Sequence, residues 1–247
     1  MENEILLIFG KPELMFFSGR TVCPMQAKPN LGWLLLALLS LATLPLFCQA
    51  HHDNNWIMSD INGAVQVSFT NGTPEVKTID VSIRFEGASF TMSDAQGNLQ
   101  FYSNGCKVYG ANHELLENGD TLNFGEVYNG FCNQSPLQRG YPGGRQSNVC
   151  IPRPDYPDQY LIVHKSLDNF PEPIPNEDIG FFSRMYYAIV DMQTENGAGA
   201  LAKKHVLIDD RMAEGEILLN RHANGKDWWL VSPLRNSNEY AVYLVDS

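Results

Sequence analysis

The sequence predicts an all-β fold: a partial β-propeller-like (WD-repeat-like) array of about three blades, with a β-sandwich as the alternative architecture. Three observations carry that expectation. Beyond position 50 the hydrophobic periodicity is short and two-fold, in runs rich in aromatic and β-branched residues. Explicit turn signals separate the runs: Asn71-Gly72, Asp94 to Asn98, Asn104-Gly105, Asn118-Gly119-Asp120, Asn196-Gly197 and Asn224-Gly225. Asn-Gly pairs supply the positive φ that tight hairpin turns need. Finally, a unit recurs in which one strand leads through a turn to an aromatic strand.

The first element is not part of that fold. Leu31 to Phe47 carries no charge and is followed by Cys48-Gln49-Ala50, with small residues at −3 and −1 of an A-x-A-like site. This predicts a signal peptide over 25–50, cleaved between Ala50 and His51. A membrane helix needs roughly 20 apolar residues; this run is shorter, contains Pro45 and gives way to His51-His52-Asp53-Asn54-Asn55. Phe47 precedes Cys48 where a lipoprotein signal needs a small residue. Met25 followed by Lys28 is an ordinary signal start, so 1–24 reads as an extension from a start codon placed too early. The expected location is secreted or cell-surface, with no stable membrane span after cleavage.

The remaining elements read as strands. Val65 to Phe69 and Val81 to Phe85 alternate. Leu99 to Tyr102, Tyr160 to His164, Met185 to Val190, His205 to Ile208, Trp228 to Val231 and Tyr240 to Val245 follow. The repeated unit is Phe90 to Asp94 then Leu99 to Tyr102, Asn148 to Pro152 then Tyr160 to His164, and Ile217 to His222 then Trp228 to Val231. A further aromatic strand follows two of these pairs. The units recur at roughly 60 residues, wider than the ~40–50 of simple blades, and two stretches make up the excess. Phe131 to Asn148 reads as a long loop and Asp168 to Phe182 as an insertion between strands. Met212 to Leu219 is a weak helical candidate. Positions 51–247 therefore read as one incomplete propeller-like domain, truncated at a strand-like run, Glu239 to Asp246.

Composition narrows the function. Lys and Arg number 17 against 28 Asp and Glu, a net charge of −11. In positions 1–50, Lys11, Arg20 and Lys28 balance Glu2, Glu4 and Glu13, so the acidity sits on the exported part. Such a chain offers no phosphate-neutralising face, which argues against nucleic acid as a partner. Extracellular solubility accounts for the charge; bound Ca²⁺ is the sharper and weaker reading, since no EF-hand-like carboxylate loop occurs. Cys106, Cys132 and Cys150 permit one disulfide and one free thiol. Spacing alone does not choose the pair. The expectation is Cys106–Cys132, a bridge that would tether the long loop, with Cys150 between Val149 and Ile151 as a core thiol; Cys132–Cys150 is the competing linkage.

No catalytic, cofactor-binding or metal-ligating set emerges. His51-His52 reads as a frayed terminus, and His113, His164 and His222 as structural histidines. Neither H-E-x-x-H nor G-x-S-x-G occurs. Glu214 and Glu216 would share one face of a strand, as on a solvated surface. Asp94-x-x-Gly97-Asn98 has some likeness to the Asp-box of sialidases, but that box has one residue between Asp and Gly. A structural turn fits better: Asp94 accepts backbone N–H groups, Gly97 takes positive φ and Asn98 closes the turn. Gly140 to Gly144 lacks the Lys-Ser/Thr of a phosphate loop.

Several segments together resemble one group. Asn54-Asn-Trp56, Ser93 to Gly105, Asn112 to Gly119, Val190-Asp-Met192 and Arg221 to Trp229 are similar to the N-terminal propeller-like region of large secreted Bacteroidetes proteins. Those proteins commonly end in a sorting domain for type IX secretion. The resemblance spans Asn54 to Ser247 and implies export, but no activity and no catalytic residues. Two function classes follow: a secreted or cell-surface module for binding, adhesion or scaffolding, with an extracellular protein or glycan as partner, or a secreted hydrolase acting on glycans.

Overall fold

A computed structural model describes residues 51–60, 62–69, 72–81, 83–85, 87–133, 139–144, 146–169, 181–194 and 197–247. The expected extension and signal peptide, Ala50 included, lie outside the described residues. Among those residues the fold is β throughout except for one short helix. β1 (Asn55–Asp60), β2 (Gly63–Ser68) and β3 (Glu75–Ile79) form the first sheet. β4 (Phe90–Ser93), β5 (Leu99–Ser103) and β6 (Val108–Gly110) form the second. The third holds β7 (Asn148–Pro152), β8 (Gln159–Asn169), β9 (Phe181–Asp191) and β10 (Ala200–Met212). The last holds β11 (Leu218–Arg221), β12 (Trp228–Pro233) and β13 (Tyr240–Val245). Within the four sheets every pairing is antiparallel and joins chain neighbours, so each sheet is an open meander; isolated bridges add a parallel contact of Glu117 with Ala200 and an antiparallel one of Met212 with Leu234.

The three repeated units are the opening hairpins of the second, third and last sheets: β4–β5, β7–β8 and β11–β12. The sheet that precedes them, β1–β3, lies outside the repeat as read. The first strands of successive sheets adjoin, β1 against β4 and β4 against β7. The Ile57 N–H donates to Thr91 Oγ1 at 3.2 Å, joining β1 to β4. The Ile217 N–H donates to the Gln146 carbonyl at 2.9 Å, just ahead of β11 and β7.

Side-chain alternation turns these meanders into a face-to-face stack. On β8, Tyr160 and Ile162 point to a core shared with the second sheet, alongside Met92, Phe101 and Val108. The intervening Leu161 and Val163 point to the opposite core, shared with Leu230, Ala241 and Tyr243 of the last sheet. β9 repeats the division, with Ala188 and Val190 on one side and Met185 and Tyr187 on the other. Ile57, Ala64 and Ile79 of the first sheet meet Tyr102 in a third core. A sheet with both faces covered holds its register firmly, because a one-residue slip would reverse every side chain. Truncating a side chain such as Ile162, wholly buried here, costs about 2–5 kcal/mol.

Several expectations need correction. Among the described residues of the run from Val81 to Phe85, none is in a strand. Its groups are claimed by side chains instead: Ser59 Oγ donates to the Ile83 carbonyl at 2.7 Å and accepts from the Phe85 N–H at 3.1 Å, and Asn104 Nδ2 donates to the Arg84 carbonyl. Met212 to Leu219 is not helical; it ends β10, turns and enters β11, so Glu214 and Glu216 lie in a connection rather than on a strand face. The only helix among the described residues, α1 (Gly125–Phe131), lies where no helix was expected. It packs Val127 and Tyr128 beside Cys106, Cys132 and Tyr141. The insertion expected over Asp168 to Phe182 is partly strand, since β8 and β9 stay paired to Asn169 and Phe181; positions 170–180 lie outside the described residues.

Candidate functional site

The densest polar chemistry is buried where the second and third sheets meet. Asn148 on β7 and His164 on β8 are register partners, both buried, with Asn123, Ser147 and Asn104 buried nearby. Asn123 Nδ2 donates to the Gly105 carbonyl at 2.9 Å, which turns Oδ1 toward His164 Nδ1 at 2.8 Å. Nδ1 therefore carries the imidazole proton and Nε2 is the bare acceptor. Among the described residues, Nε2, Ser147 Oγ and Asn148 Oδ1 have no hydrogen-bond partner. Burial pushes the His164 pKa down to about 3, with the nearby His205 adding a smaller push. A ring that stays neutral throughout the physiological range and touches no solvent is not poised as a general base.

The backbone approaches this node closely. Gly105 sits at φ +79°, and a Cβ there would meet the Ala88 carbonyl at 2.7 Å, Tyr141 Cβ at 2.7 Å and Asn148 Nδ2 at 2.9 Å. One residue on, Cys106 is bonded to Cys132, their Cα atoms 5.6 Å apart, so the bridge fastens the end of α1 to the β5–β6 connection. Cys150 is unbonded, and burial pushes its thiol well above the ordinary range.

Lys165, the residue after His164, faces the other way and is also buried. Its Nζ donates to the carbonyls of Ala213 and Gly215 at 2.9 and 3.1 Å. Burial lowers its pKa to about 8, against the opposing pull of Glu214. Asp209 is tied to Arg211 through both carboxylate oxygens, at 3.0 and 2.7 Å, and accepts from the Tyr243 hydroxyl at 2.9 Å. Burial alone would raise the Asp209 carboxyl, but these bonds outweigh it and hold it below the usual range.

The structural turn read from the sequence is built as expected. Asp94 Oδ1 accepts from the N–H groups of Gln96 and Asn98 at 2.9 and 2.8 Å, and Oδ2 from Asn98 Nδ2 and Gln100 Nε2 at 2.9 and 3.1 Å. Gly97 takes φ +89°, and its carbonyl accepts from Asn54 and Asn55. The turn thus receives the segment from His51 to Asn55: the His51 N–H reaches the Ala95 carbonyl, and His52 exchanges bonds with Ser93. Asn54, Asn55 and the Asp94 turn are therefore one structural unit.

The chain matches no protein family, no curated protein and no solved structure. Its site must be read from its own geometry.

Two solvent-facing concavities stand out among the described residues. One, of about 330 Å³, runs between β1 and β4 and is lined by Asp53, Trp56, Met58, Ser89 and Thr91; Trp56 is half exposed there at 52 %. An open aromatic face beside hydroxyls and a carboxylate suits a polyhydroxylated or peptide ligand. The other, of about 90 Å³, opens between the third and last sheets and is lined by Tyr187, Ile189, Ile208, Tyr243 and Val245, with Arg153 and Asp246 as charged lining. Among the described residues no group of three or more His, Cys, Asp or Glu could hold a metal ion, and no helix is long and apolar enough to cross a membrane.

Sequence reasoning identified the turn and the cysteine pair but not the buried node. His164 and Asn123 are 41 residues apart, and polar residues in a sequence read as surface. The one available signal was an aromatic strand, Tyr160 to His164, that runs straight into Lys165-Ser166 without a turn residue.

Proposed function

We propose that this chain is a secreted or cell-surface binding module built as a partial propeller-like array, without catalysis of its own. The observation that carries the reading is the order of the stack. Successive meanders pack face to face, with the first strands of the first three adjoining, as blades do around an axis. The signal-like segment and the resemblance to secreted Bacteroidetes proteins support export, with type IX secretion as the proposed route. The placement of the perturbed groups supports binding over turnover. His164 and Lys165 are sealed in the interior, whereas an enzyme poises such groups in a cleft. The Trp56 groove faces solvent and offers a surface for an extracellular protein or glycan.

The test is to present the full chain with a panel of soluble polysaccharides, measuring retention by affinity electrophoresis and reducing-sugar release together. Retention without release, lost in Trp56→Ala, is expected. Release of reducing ends that grows with time would favour the glycan hydrolase and overturn the binding-module reading.

A further inference from the structure

The loop that follows β6 is pinned to its own sheet. The Gly119 N–H donates to the Leu116 carbonyl and the Gly119 carbonyl accepts from the Val108 N–H, both at 2.8 Å. The Leu122 N–H donates to the Cys106 carbonyl at 2.9 Å. Position 119 needs glycine, since a Cβ there would meet the Val108 carbonyl at 2.6 Å and the Leu116 carbonyl at 2.8 Å. With Gly119 committed on one side, the oxygens of Asn118, Asp120 and Thr121 gather on the other. Asn118 and Thr121 take φ +54° and +51° to do so, and the left-handed region is a strained one for a β-branched residue such as Thr121.

Those oxygens converge on one point. Lys204 Nζ donates to the carbonyls of Asn118 and Asp120 at 3.0 and 2.9 Å, and to Asp120 Oδ1 and Thr121 Oγ1, both at 3.2 Å. An ammonium has three protons, so these four oxygens exceed its directed hydrogen bonds and form a shell around a centre of charge. β10 is deformed to deliver that charge. Its ladder to β9 shifts register between Leu201 and Lys203 and again between Lys203 and Val206, and His205 takes φ +60°. In a regular strand Lys204 and His205 would point to opposite faces. Here both reach the same loop, His205 Nε2 donating to the Thr121 carbonyl at 2.7 Å. Re-aiming a side chain in this way is what a bulge does.

We propose that the 118–121 loop is a binding site for a monovalent cation, with the Lys204 ammonium as its built-in occupant. The ligand set selects the class. Two carbonyls, one hydroxyl and one carboxylate oxygen supply little negative charge, and they stand 2.9–3.2 Å from the centre. Ca²⁺ takes about 6–8 oxygens at about 2.3–2.6 Å, and Mg²⁺ demands about 2.0–2.1 Å. A shell rich in carbonyl oxygens is how proteins replace the hydration of K⁺, an ion close in size to an ammonium. Among the described residues Asp120 is the carboxylate paired with Lys204. The next cation along β10, Lys203, lies over the Tyr187 ring at 5.5 Å instead. The site is separate from the Trp56 groove and does not depend on the binding-module reading.

Lys204→Met removes the ammonium, keeps an apolar stem and turns the loop into an exchangeable site. The probes are K⁺ and choline, a cation too large for the shell, as chlorides at one ionic strength with the full chain. In choline the variant is expected to melt at least about 3 °C below wild type. Replacing choline by K⁺ should recover at least about 2 °C of that, saturably. The same exchange should move wild type by less than about 0.5 °C. Adding Asp120→Asn to Lys204→Met should abolish the recovery. Lys204→Arg keeps the charge but spreads it over a planar fork, where the shell fits a compact centre. It should melt within about 1 °C of Lys204→Met.

No response of Lys204→Met to K⁺, an equal response of wild type, or an arginine variant as stable as wild type would reduce Lys204 to an ordinary surface ion pair and overturn the proposal. A larger rise with about 1 mM Ca²⁺ than with saturating K⁺ would assign the loop to a divalent cation and overturn it likewise. If Lys204→Met folds in neither salt, wild type carries the test. The ammonium protons of Lys204, followed by NMR, should exchange at least about tenfold more slowly than those of the exposed Lys203. Equal rates would overturn the proposal.

Discussion

Lowering the pH from 7 to 4 should destabilise the fold through His164 in a way that one substitution isolates. In the unfolded chain a histidine titrates near 6.5; in the fold, burial holds His164 at about 3. The folded pKa is the lower of the two. Between pH 6.5 and 3 the unfolded state therefore binds a proton that the folded state refuses, and stability falls as the pH falls through that window. At pH 4 the two values correspond to about 3 kcal/mol of lost stability relative to pH 7. The cause is visible in the site. Nδ1–H is committed to Asn123 Oδ1, so an added proton would sit on Nε2, which is buried without an acceptor among the described residues. His164→Gln keeps a donor for Asn123 and cannot be protonated. Urea denaturation of both proteins at pH 7 and pH 4 gives the comparison, with every carboxylate contributing equally to the two. Wild type should lose about 3 kcal/mol more than the variant. Parallel losses, within about 0.5 kcal/mol, would refute the reasoning and mean that His164 takes up its proton in the folded state.

Other expectations follow from the same structure. Replacing both Cys106 and Cys132 by Ser opens a loop closed across 26 residues; the chain-entropy treatment gives a loss of about 3.5 kcal/mol, read as a lower melting temperature that reductant does not lower further. Gly105→Ala should cost at least about 2 kcal/mol by urea denaturation, because it combines a positive φ with backbone contact; a change within about 0.5 kcal/mol would mean that the loops around it relax freely. Asp94→Ala removes a carboxylate that accepts four bonds within its turn; about 1–2 kcal/mol should be lost, with faster amide exchange at Gln96 and Asn98. Lys165→Met should abolish the rise in stability expected between about pH 8 and 10.5, where the unfolded lysine holds a proton that the folded one has released.

The sequence was most legible where one rule acted alone. Tyr160 to Ile162 and Met185 to Val190 are continuously apolar because their sheet is covered on both sides, and both were readable as strands. The Asp94 turn was readable because its partners lie within six residues. Legibility failed where tertiary contacts replaced a local rule. Val81 to Phe85 has the alternation of a strand, but Ser59 satisfies its backbone from another element. β3 is an exposed edge with little hydrophobic contrast. α1 has seven residues, opens and nearly ends on glycine and has no side-chain cap, so only its packing on the disulfide region gives it away. β8 was readable only to His164 because Lys165 and Ser166 look like a surface; both are buried, Lys165 by two carbonyls from a connection some fifty residues downstream. The buried node was invisible for the same reason, since its members meet only after the second and third sheets have packed.

Among the described residues the two inner sheets are covered on both faces and the first and last sheets on one. The outer face of the first sheet presents Trp56, Met58 and Val76, and that of the last presents Leu218 and Tyr240, all substantially exposed. Native-state amide exchange, resolved by residue on the full chain, tests this most directly. The account expects the slowest exchange in β8 and β9, whose alternate side chains are buried in two different cores, and exchange at least about tenfold faster in β1–β3 and β11–β13. Protection in β1, β2 and β12 equal to that in β8 and β9 would contradict it, because the terminal sheets would then be covered as fully as the inner ones.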